Sequence, residues 1–64
     1  MDNYKFKFKV GDELRCGFEV VIVRNRIYNY DSFLHCYIMQ RAHNGAEVWH
    51  SASRIDQNYT INTY

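Results

Sequence analysis

The sequence predicts one small all-β domain with five antiparallel strands. Lys5 to Val10 alternates basic and apolar residues with a period of two, which is typical of a strand with one buried face. Residues 18–25 include three Val and one Ile, and β-branched side chains suit a pleated sheet better than a helix. Asn44-Gly45 supplies two residues that accept positive φ, as a type I′ hairpin turn requires. Together these features favour strands over helices.

The first half of the chain is predicted to run strand, turn, extended segment and loop. The three Lys of the predicted strand over 5–10 lie on its outer face, where they discourage pairing at a sheet edge. Residues 11–13 form a turn, and residues 14–16 resume an extended run that bends or bulges at Gly17. The polar stretch 25–32 is interpreted as a loop that presents aromatic side chains.

The second half is predicted to contain three more strands. Residues 33–41 alternate in polarity, and residues 46–51 return antiparallel to them after the Asn-Gly turn. Residues 51–56 begin with a helix-cap residue and show no alternation, which suits a single 3₁₀ turn. Residues 59–63 alternate again and form a short last strand.

Length and charge limit the functional classes. The chain has 64 residues, enough for one domain (1–64, with a core over about 5–62). Its net charge of +1 gives no support for strong non-specific attraction to nucleic acid or to an anionic membrane. It has no run approaching the ~18 apolar residues of a transmembrane helix and no secretory signal. We therefore expect a cytoplasmic protein without a membrane partner, in which Cys16 and Cys36 are reduced.

The order of these features resembles that of a known class. Phe-Lys-Val-Gly-Asp-Glu-Leu at 8–14 resembles the opening of many SH3-like small β-barrel domains. The likeness continues with a β-branched strand over 20–24, Tyr-Ile-Met at 37–39, Trp49, and a short turn that contains Ile55. It implies a single five-stranded antiparallel SH3-like barrel with one short 3₁₀ turn. Barrels of this kind are common among small phage-encoded proteins.

Neither catalysis nor a cofactor is predicted. A catalytic nucleophile needs a nearby base and an orienting group, and no motif brings Cys16 or Cys36 to such partners. Structural zinc sites pair their ligands at short spacing, whereas the two Cys are far apart, and His35 faces away from its neighbour Cys36 on a strand. We expect His43 and His50 at the surface and both Cys in or near the core.

A nucleic-acid-binding face is the first alternative, with a role as a transcription or translation accessory factor. Arginine and aromatic side chains would supply phosphate contacts and stacking platforms. The residues of this type are Arg15, Arg24, Arg26, Arg41, Arg54, Tyr28, Tyr30 and Trp49. Interspersed Asp and Glu residues weaken this hypothesis because they dilute the positive charge.

Protein binding is favoured by two observations. The strands over 18–24 and 33–40 carry more apolar residues than one small core can bury, so one set is expected on the outer face. The segment 26–33 combines Arg, Tyr, Asn and Ser, which is the composition of interface anchors. The predicted contact residues are Arg26, Tyr28, Tyr30, Phe33, Val21, Val23, Ile38 and Trp49.

The predicted function is therefore that of a small, non-catalytic protein-binding module. By analogy with stand-alone binders of this size, we expect a phage-encoded protein that inhibits or redirects a host protein by occupying its surface. A homodimer whose outer strand face is its own interface is the second alternative.

Overall fold

The structure, a computed structural model, describes residues 4–62. Those residues form one antiparallel sheet and one short helix. In chain order the elements are β1 (Glu13–Cys16), β2 (Glu19–Asn29), β3 (Leu34–Arg41), β4 (Glu47–Ser51), α1 (Ala52–Asn58) and β5 (Thr60–Ile61). The strands lie in the order β4-β3-β2-β1-β5, and every neighbouring pair is antiparallel. The predicted all-β class with five antiparallel strands is confirmed, but the sheet does not close into a barrel.

Glycine residues with positive φ shape the two hairpin turns at one end of the sheet. Gly17 begins the two-residue turn between β1 and β2 with φ at 64°. Between β3 and β4, the Arg41 N–H donates to the Ala46 carbonyl at 2.8 Å. In that loop Gly45 has φ at 74°, whereas Asn44 keeps a negative φ while its Oδ1 accepts the Ala46 N–H at 2.9 Å. The predicted type I′ turn at Asn44-Gly45 is therefore wrong, and a longer loop takes its place.

A β-bulge divides β2 into two halves with opposite phase. The register with β3 shifts between Val23 and Asn25, and one extra residue exchanges the two faces of a strand. Before the bulge the odd-numbered residues face the core. After it the even-numbered residues do, and Arg26 lies opposite the buried Tyr37.

The core lies between the inner face of the sheet, the helix and the segment that precedes β1. Its buried residues are Phe8, Leu14, Val21, Val23, Tyr37, Met39, Ala52, Ile55 and Tyr59. The spacing of Ala52, Ile55 and Tyr59 turns one face of α1 and the residue after it toward the sheet. The Tyr59 N–H donates to the Ile55 carbonyl at 3.0 Å, and the chain then becomes extended. An α-helix over Ala52–Asn58 therefore replaces the 3₁₀ turn predicted over 51–56.

Residues 4–10, the N-terminal segment, form no strand, so the predicted first strand is wrong. The alternation does describe side-chain burial in part, since Phe8 is buried and the Lys residues are exposed. The backbone, however, bonds to side chains: the Phe8 N–H donates to the Tyr37 hydroxyl at 3.1 Å, and the Lys9 N–H donates to Asp12 Oδ2 at 2.9 Å. The sheet begins instead at β1, which follows the turn.

Two further differences concern β2. The strand continues to Asn29, so most of the loop predicted over 25–32 is paired with β3. Val21 and Val23 are fully buried, so their predicted place on the outer face is wrong. Because side chains alternate between the two faces of a strand, β2 buries the face that carries Val21 and Val23, and Val23 lies opposite the buried Met39.

The C-terminal end of the chain also differs from the prediction. The last strand is shorter than predicted, at Thr60–Ile61, while Thr63 and the outer parts of the predicted domain 1–64 lie outside the described residues. Between residues 4 and 62, no helix is long and apolar enough to cross a bilayer.

Candidate functional site

The end of the β2–β3 hairpin extends beyond the rest of the sheet, because β4 pairs with β3 only from Cys36 to Gln40 and residues 28–35 lie past it. β1 pairs only with the first residues of β2, up to Ile22, whereas β2 and β3 remain paired to the end of the hairpin. Eleven residues of strand span about 35 Å at ~3.3 Å per residue, which matches the 36 Å longest dimension of the molecule. We call the part of this hairpin beyond the bulge, residues 25–38, the arm.

The end of the arm presents two aromatic side chains to solvent. Tyr30 is 74% exposed and Phe33 is 75% exposed. They belong to the turn that we call the tip, residues 30–33, where the Asp31 N–H donates to Asn29 Oδ1 at 2.9 Å. Leu34 follows at 47% exposure. The tip therefore places a small apolar surface at the most distant point of the arm.

Phe33 has an unusual backbone conformation. Its φ is 57°, and no other non-glycine residue between 4 and 62 has a positive φ. The left-handed region costs an L-residue roughly 1–2 kcal/mol, and a bulky aromatic residue there is uncommon. Burial does not compensate for this cost, because the side chain projects into solvent.

The inner side of the arm is already occupied by contacts within the chain. The Tyr28 ring lies 4.8 Å from both the Tyr30 and His35 rings in edge-to-face arrangements. The Tyr4 ring stacks on His35 at 4.7 Å. Arg26 donates from Nη1 to the Phe8 carbonyl at 3.1 Å. The predicted contact residue Arg26 thus holds the N-terminal segment against the arm, whereas Tyr28 packs against rings of the arm itself.

The outer face of the sheet carries a strip of partly exposed apolar side chains. Ile38 lies directly opposite Trp49, so the two side chains share the face that points away from the core. Trp49 is 51% exposed, while Ile38 is half-buried. By strand register the residues of this outer strip are Ile22, Ile27, Leu34, Ile38 and Trp49. The expected surplus of apolar residues is present, although β2 contributes Ile22 and not Val21 or Val23.

Hydrogen bonds fix the base of the arm to the helix. Asp56 accepts hydrogen bonds of 2.6 Å from the hydroxyls of Tyr37 and Tyr4. Burial, followed by the hydrogen bond to Asp56, raises the pKa of Tyr4 to about 12. The same two causes raise the pKa of Tyr37. Both hydroxyls are therefore donors at neutral pH.

A polar groove of about 770 Å³ lies beside α1. It is lined by Cys16, Glu19, Arg41, His50, Ser53, Arg54, Gln57, Asn58 and Tyr59. Inside it Arg41 forms a 3.0 Å ion pair with Glu19, and the Tyr59 hydroxyl donates to Glu19 at 2.9 Å. Burial and the bond to Glu19 raise the pKa of Tyr59 to about 12. Arg41 and Tyr59 thus both engage the Glu19 carboxylate, Tyr59 by a hydrogen bond and Arg41 by an ion pair in which its buried Nε makes no hydrogen bond.

The cysteines and histidines do not assemble into a metal site. Across residues 4–62, no group of three or more His, Cys, Asp or Glu side chains is placed to hold a metal ion. Cys36 is buried as predicted, and burial raises the pKa of its thiol. Cys16 is exposed, so the expectation of two cysteines in or near the core is wrong for Cys16.

Exposed apolar residues outside the predicted set include Phe18 and Leu34, together with Tyr4, Val10 and Ile61. Phe18 is fully exposed in the β1–β2 turn, at the end of the sheet away from the tip. The Gly-Phe pair between two extended runs was the available signal for that turn. Leu34 alternates with Cys36 and Ile38 on β3, so it shares their outer face.

Comparison of the chain with protein-family models, curated proteins and solved structures gives no match. The case for a function therefore rests on the residues and the geometry described above.

Proposed function

We propose that this chain is a small, non-catalytic protein-binding module that docks through the tip of its arm. The observation that supports this most strongly is the exposure of Tyr30 and Phe33. Aromatic side chains dominate the energetics of protein interfaces when a partner buries them. Two of them at the end of the hairpin, where Phe33 borders a shallow groove with Tyr4, Ser51 and Ser53, offer a partner an exposed aromatic surface.

The backbone of Phe33 supports the same surface. The left-handed conformation of Phe33 costs free energy of folding, and its exposed side chain does not offset that cost. Stability alone therefore does not explain an aromatic residue here. Glycine would occupy this position at lower cost. A requirement for an aromatic side chain in this place accounts for Phe33, and binding is the function that needs such a side chain.

The outer strip supplies a second part of the proposed interface. It continues from Leu34, next to the tip, through Ile38 to Trp49. Partly exposed apolar surface that is continuous with aromatic anchors is typical of protein docking sites. Its polar surroundings include Gln40 and Glu47, which lie opposite each other on the same face.

We also propose that the domain is SH3-like in architecture. Five antiparallel strands are present, with a short helical segment between the fourth and fifth, in the order that the resemblance implies. The Val-Gly-Asp turn lies immediately before β1, with Gly11 at a φ of 96°. In this proposal the domain is an open variant, because no strand pairing joins β4 to β5.

A nucleic-acid-binding role has less support from the arrangement of charges. Arg41 is paired with Glu19, and Arg26 is bonded to the backbone of the N-terminal segment. These two of the five predicted arginines are therefore already engaged within the chain. Phage origin, inhibition of a host protein and a cytoplasmic location stay predictions.

Affinity purification tests the proposed function. The immobilised domain would be exposed to lysate of its source cells, in parallel with the double variant Tyr30→Ser/Phe33→Ser and the control Phe18→Ser. The control removes an exposed aromatic residue of the opposite end of the sheet. We expect one dominant protein to be retained by the wild type and the control and lost by the double variant.

The same purification can contradict the proposal. Equal retention by all three forms would show that the tip does not carry binding. Enrichment of RNA or DNA without a protein partner, with affinity that falls steeply as salt is added, would favour the nucleic-acid alternative.

A further inference from the structure

β4 forms one edge of the sheet. Within the described part of the chain, β3 is the strand that pairs with it, and the opposite side of Glu47–Ser51 has no strand neighbour. An open edge presents unpaired N–H and C=O groups that can pair with another chain. The strand is five residues long, enough to align a short peptide.

The alternation of hydrogen bonds between β3 and β4 shows which residues of β4 direct their N–H and C=O groups away from β3. The Arg41 N–H donates to the carbonyl of Ala46 opposite it, so this ladder position has the phase of a hydrogen-bonded pair, although the Ala46 N–H donates to Asn44 Oδ1. Pairs alternate along an antiparallel ladder, so Val48, opposite Met39, bonds to β3. The N–H and C=O groups of Glu47 and Trp49 therefore point toward the open side.

This edge lacks three features that commonly prevent pairing, namely a lysine, a proline and a bulge. β4 contains no Lys and no Pro, and its register with β3 is unbroken from Glu47 to Ser51. Bulges, lysines and prolines are common protections of exposed edges. The side chain of Trp49 is half-exposed beside the outward backbone groups. The edge thus offers main-chain donors and acceptors together with an apolar contact.

We propose that the β4 edge binds an extended peptide segment of a partner protein by strand addition. The segment carries an apolar side chain opposite Trp49 and a basic side chain opposite Glu47. This inference rests on the proposed function. It adds a second contact to that of the tip, made by an extended internal segment or a terminal tail of the same partner. Backbone pairing supplies the affinity and the alternate side chains supply the selectivity.

The charge at Glu47 specifies the basic residue. The Glu47 side chain is exposed and makes no ion pair within residues 4–62. It lines a shallow groove of about 280 Å³ with Arg24, Met39, Gln40 and Gly45. Arg24 shares that groove without an ion pair to Glu47, so the carboxylate is available to a cation of the peptide.

A second copy of this chain fits the edge less well. Antiparallel pairing of two β4 strands about Trp49 would place Glu47 opposite Ser51 and form no ion pair. A five-residue edge also buries much less than the roughly 1,000 Å² that a stable protein interface requires. Weak and transient contacts use smaller interfaces, which suits a short peptide segment.

Titration with a defined peptide tests the proposal. The probe is the acetylated and amidated peptide Ser-Lys-Thr-Val-Thr-Lys-Ser, whose symmetry suits either strand direction, and the comparison peptide has Glu in place of both Lys. Amide NMR spectra of the domain would be recorded during both titrations. We expect saturable shifts concentrated at Glu47–Ser51, with at least about tenfold weaker binding of the acidic peptide.

Two matched changes separate backbone pairing from charge. Glu47→Pro removes an outward N–H that β3 does not use, whereas Glu47→Ala keeps the N–H and removes the charge. We expect Glu47→Pro to abolish binding of both peptides, and Glu47→Ala to leave binding while removing the preference for Lys. An N-methylated form of the basic peptide should not bind to the wild-type domain, which tests pairing even if Glu47→Pro fails to fold.

The outcomes distinguish this proposal from the proposed function. Absence of saturable shifts up to millimolar peptide, or shifts centred away from β4, would overturn strand addition. Dimerisation of the wild type that Glu47→Pro abolishes, seen by sedimentation, would assign the edge to a second copy. Retention of a protein partner by Glu47→Pro and its loss from Tyr30→Ser/Phe33→Ser would leave tip docking intact and reject the edge as part of the interface.

Discussion

The Tyr37 hydroxyl donates a 2.6 Å hydrogen bond to Asp56, which joins the centre of β3 to the helix. The same hydroxyl accepts the Phe8 N–H at 3.1 Å, and Tyr4 donates to the other oxygen of Asp56 at 2.6 Å. Strand, helix and N-terminal segment therefore meet at one phenol and one carboxylate. This network anchors the N-terminal segment, which forms no strand of the sheet.

Removal of the Tyr37 hydroxyl is expected to destabilise the domain. Tyr37→Phe leaves the buried Phe8 N–H without its acceptor and takes one donor from Asp56. Loss of a partner for buried polar groups costs about 1–3 kcal/mol, so the free energy of unfolding in urea should fall by that amount. Tyr30→Phe is the matched control, because Tyr30 is exposed, and it should change stability by less than about 0.5 kcal/mol. Equal effects of the two variants would contradict the role given to the network.

Stability is expected to fall at alkaline pH through Tyr59. Its pKa is about 12 in the folded protein because of burial and its bond to Glu19, whereas an unfolded chain has a tyrosine pKa of ~10. Above pH ~10 the unfolded state loses this proton first, so it binds fewer protons than the native state and stability decreases with pH. The contribution is complete below pH ~10 and is lost as the pH rises through about 12.

Urea unfolding at several pH values from about 9 to about 11.5, a range that includes the unfolded tyrosine pKa of ~10, measures this effect. Tyr59→Phe should have lower stability at neutral pH and a shallower decline than the wild type. A wild-type slope in Tyr59→Phe would show that other groups cause the alkaline loss.

Sequence patterns predicted the strand content of this chain better than its pairing. The β-branched run in β2 and the alternation of β3 are local properties, and both strands are present. Alternation at 5–10 reports that one set of side chains is buried. It does not tell whether the backbone pairs with a strand or, as here, with the hydroxyl of Tyr37, which lies far away in sequence.

The bulge explains why the candidate site was only partly predictable. A surplus of apolar residues in β2 and β3 follows from composition, but assignment of the faces requires the register. The bulge between Val23 and Asn25 reverses the phase of β2, so Val21 and Val23 are core while Arg26 and Tyr28 also lie on the inner side. Tyr30 and Phe33 were predicted from residue type alone. A turn has no alternation of polar and apolar residues from which the exposure of its side chains could be predicted.

Neighbouring residues of β3 should report the two faces of the sheet. Met39 is fully buried and Ile38 is half-buried on the outer strip. Met39→Ala should reduce the free energy of unfolding by about 2–5 kcal/mol, as expected for a large-to-small change in a core. Ile38→Ala should cost clearly less and should weaken binding of the partner captured by the wild type. Similar destabilisation by both substitutions would mean that the outer strip is covered within the domain.

Phe33 offers a test that separates stability from binding. Its φ of 57° is unfavourable for any side chain with a Cβ but not for glycine. Phe33→Gly should therefore be more stable than Phe33→Ala by about 1 kcal/mol, although glycine usually destabilises a folded chain relative to alanine. Both variants remove the aromatic ring, so both should lose the partner that the wild type retains. Urea unfolding and the binding assay measure the two effects separately. If alanine is the more stable of the two, the left-handed conformation at the tip is not a source of strain, and if both variants keep full binding, Phe33 is not part of the interface.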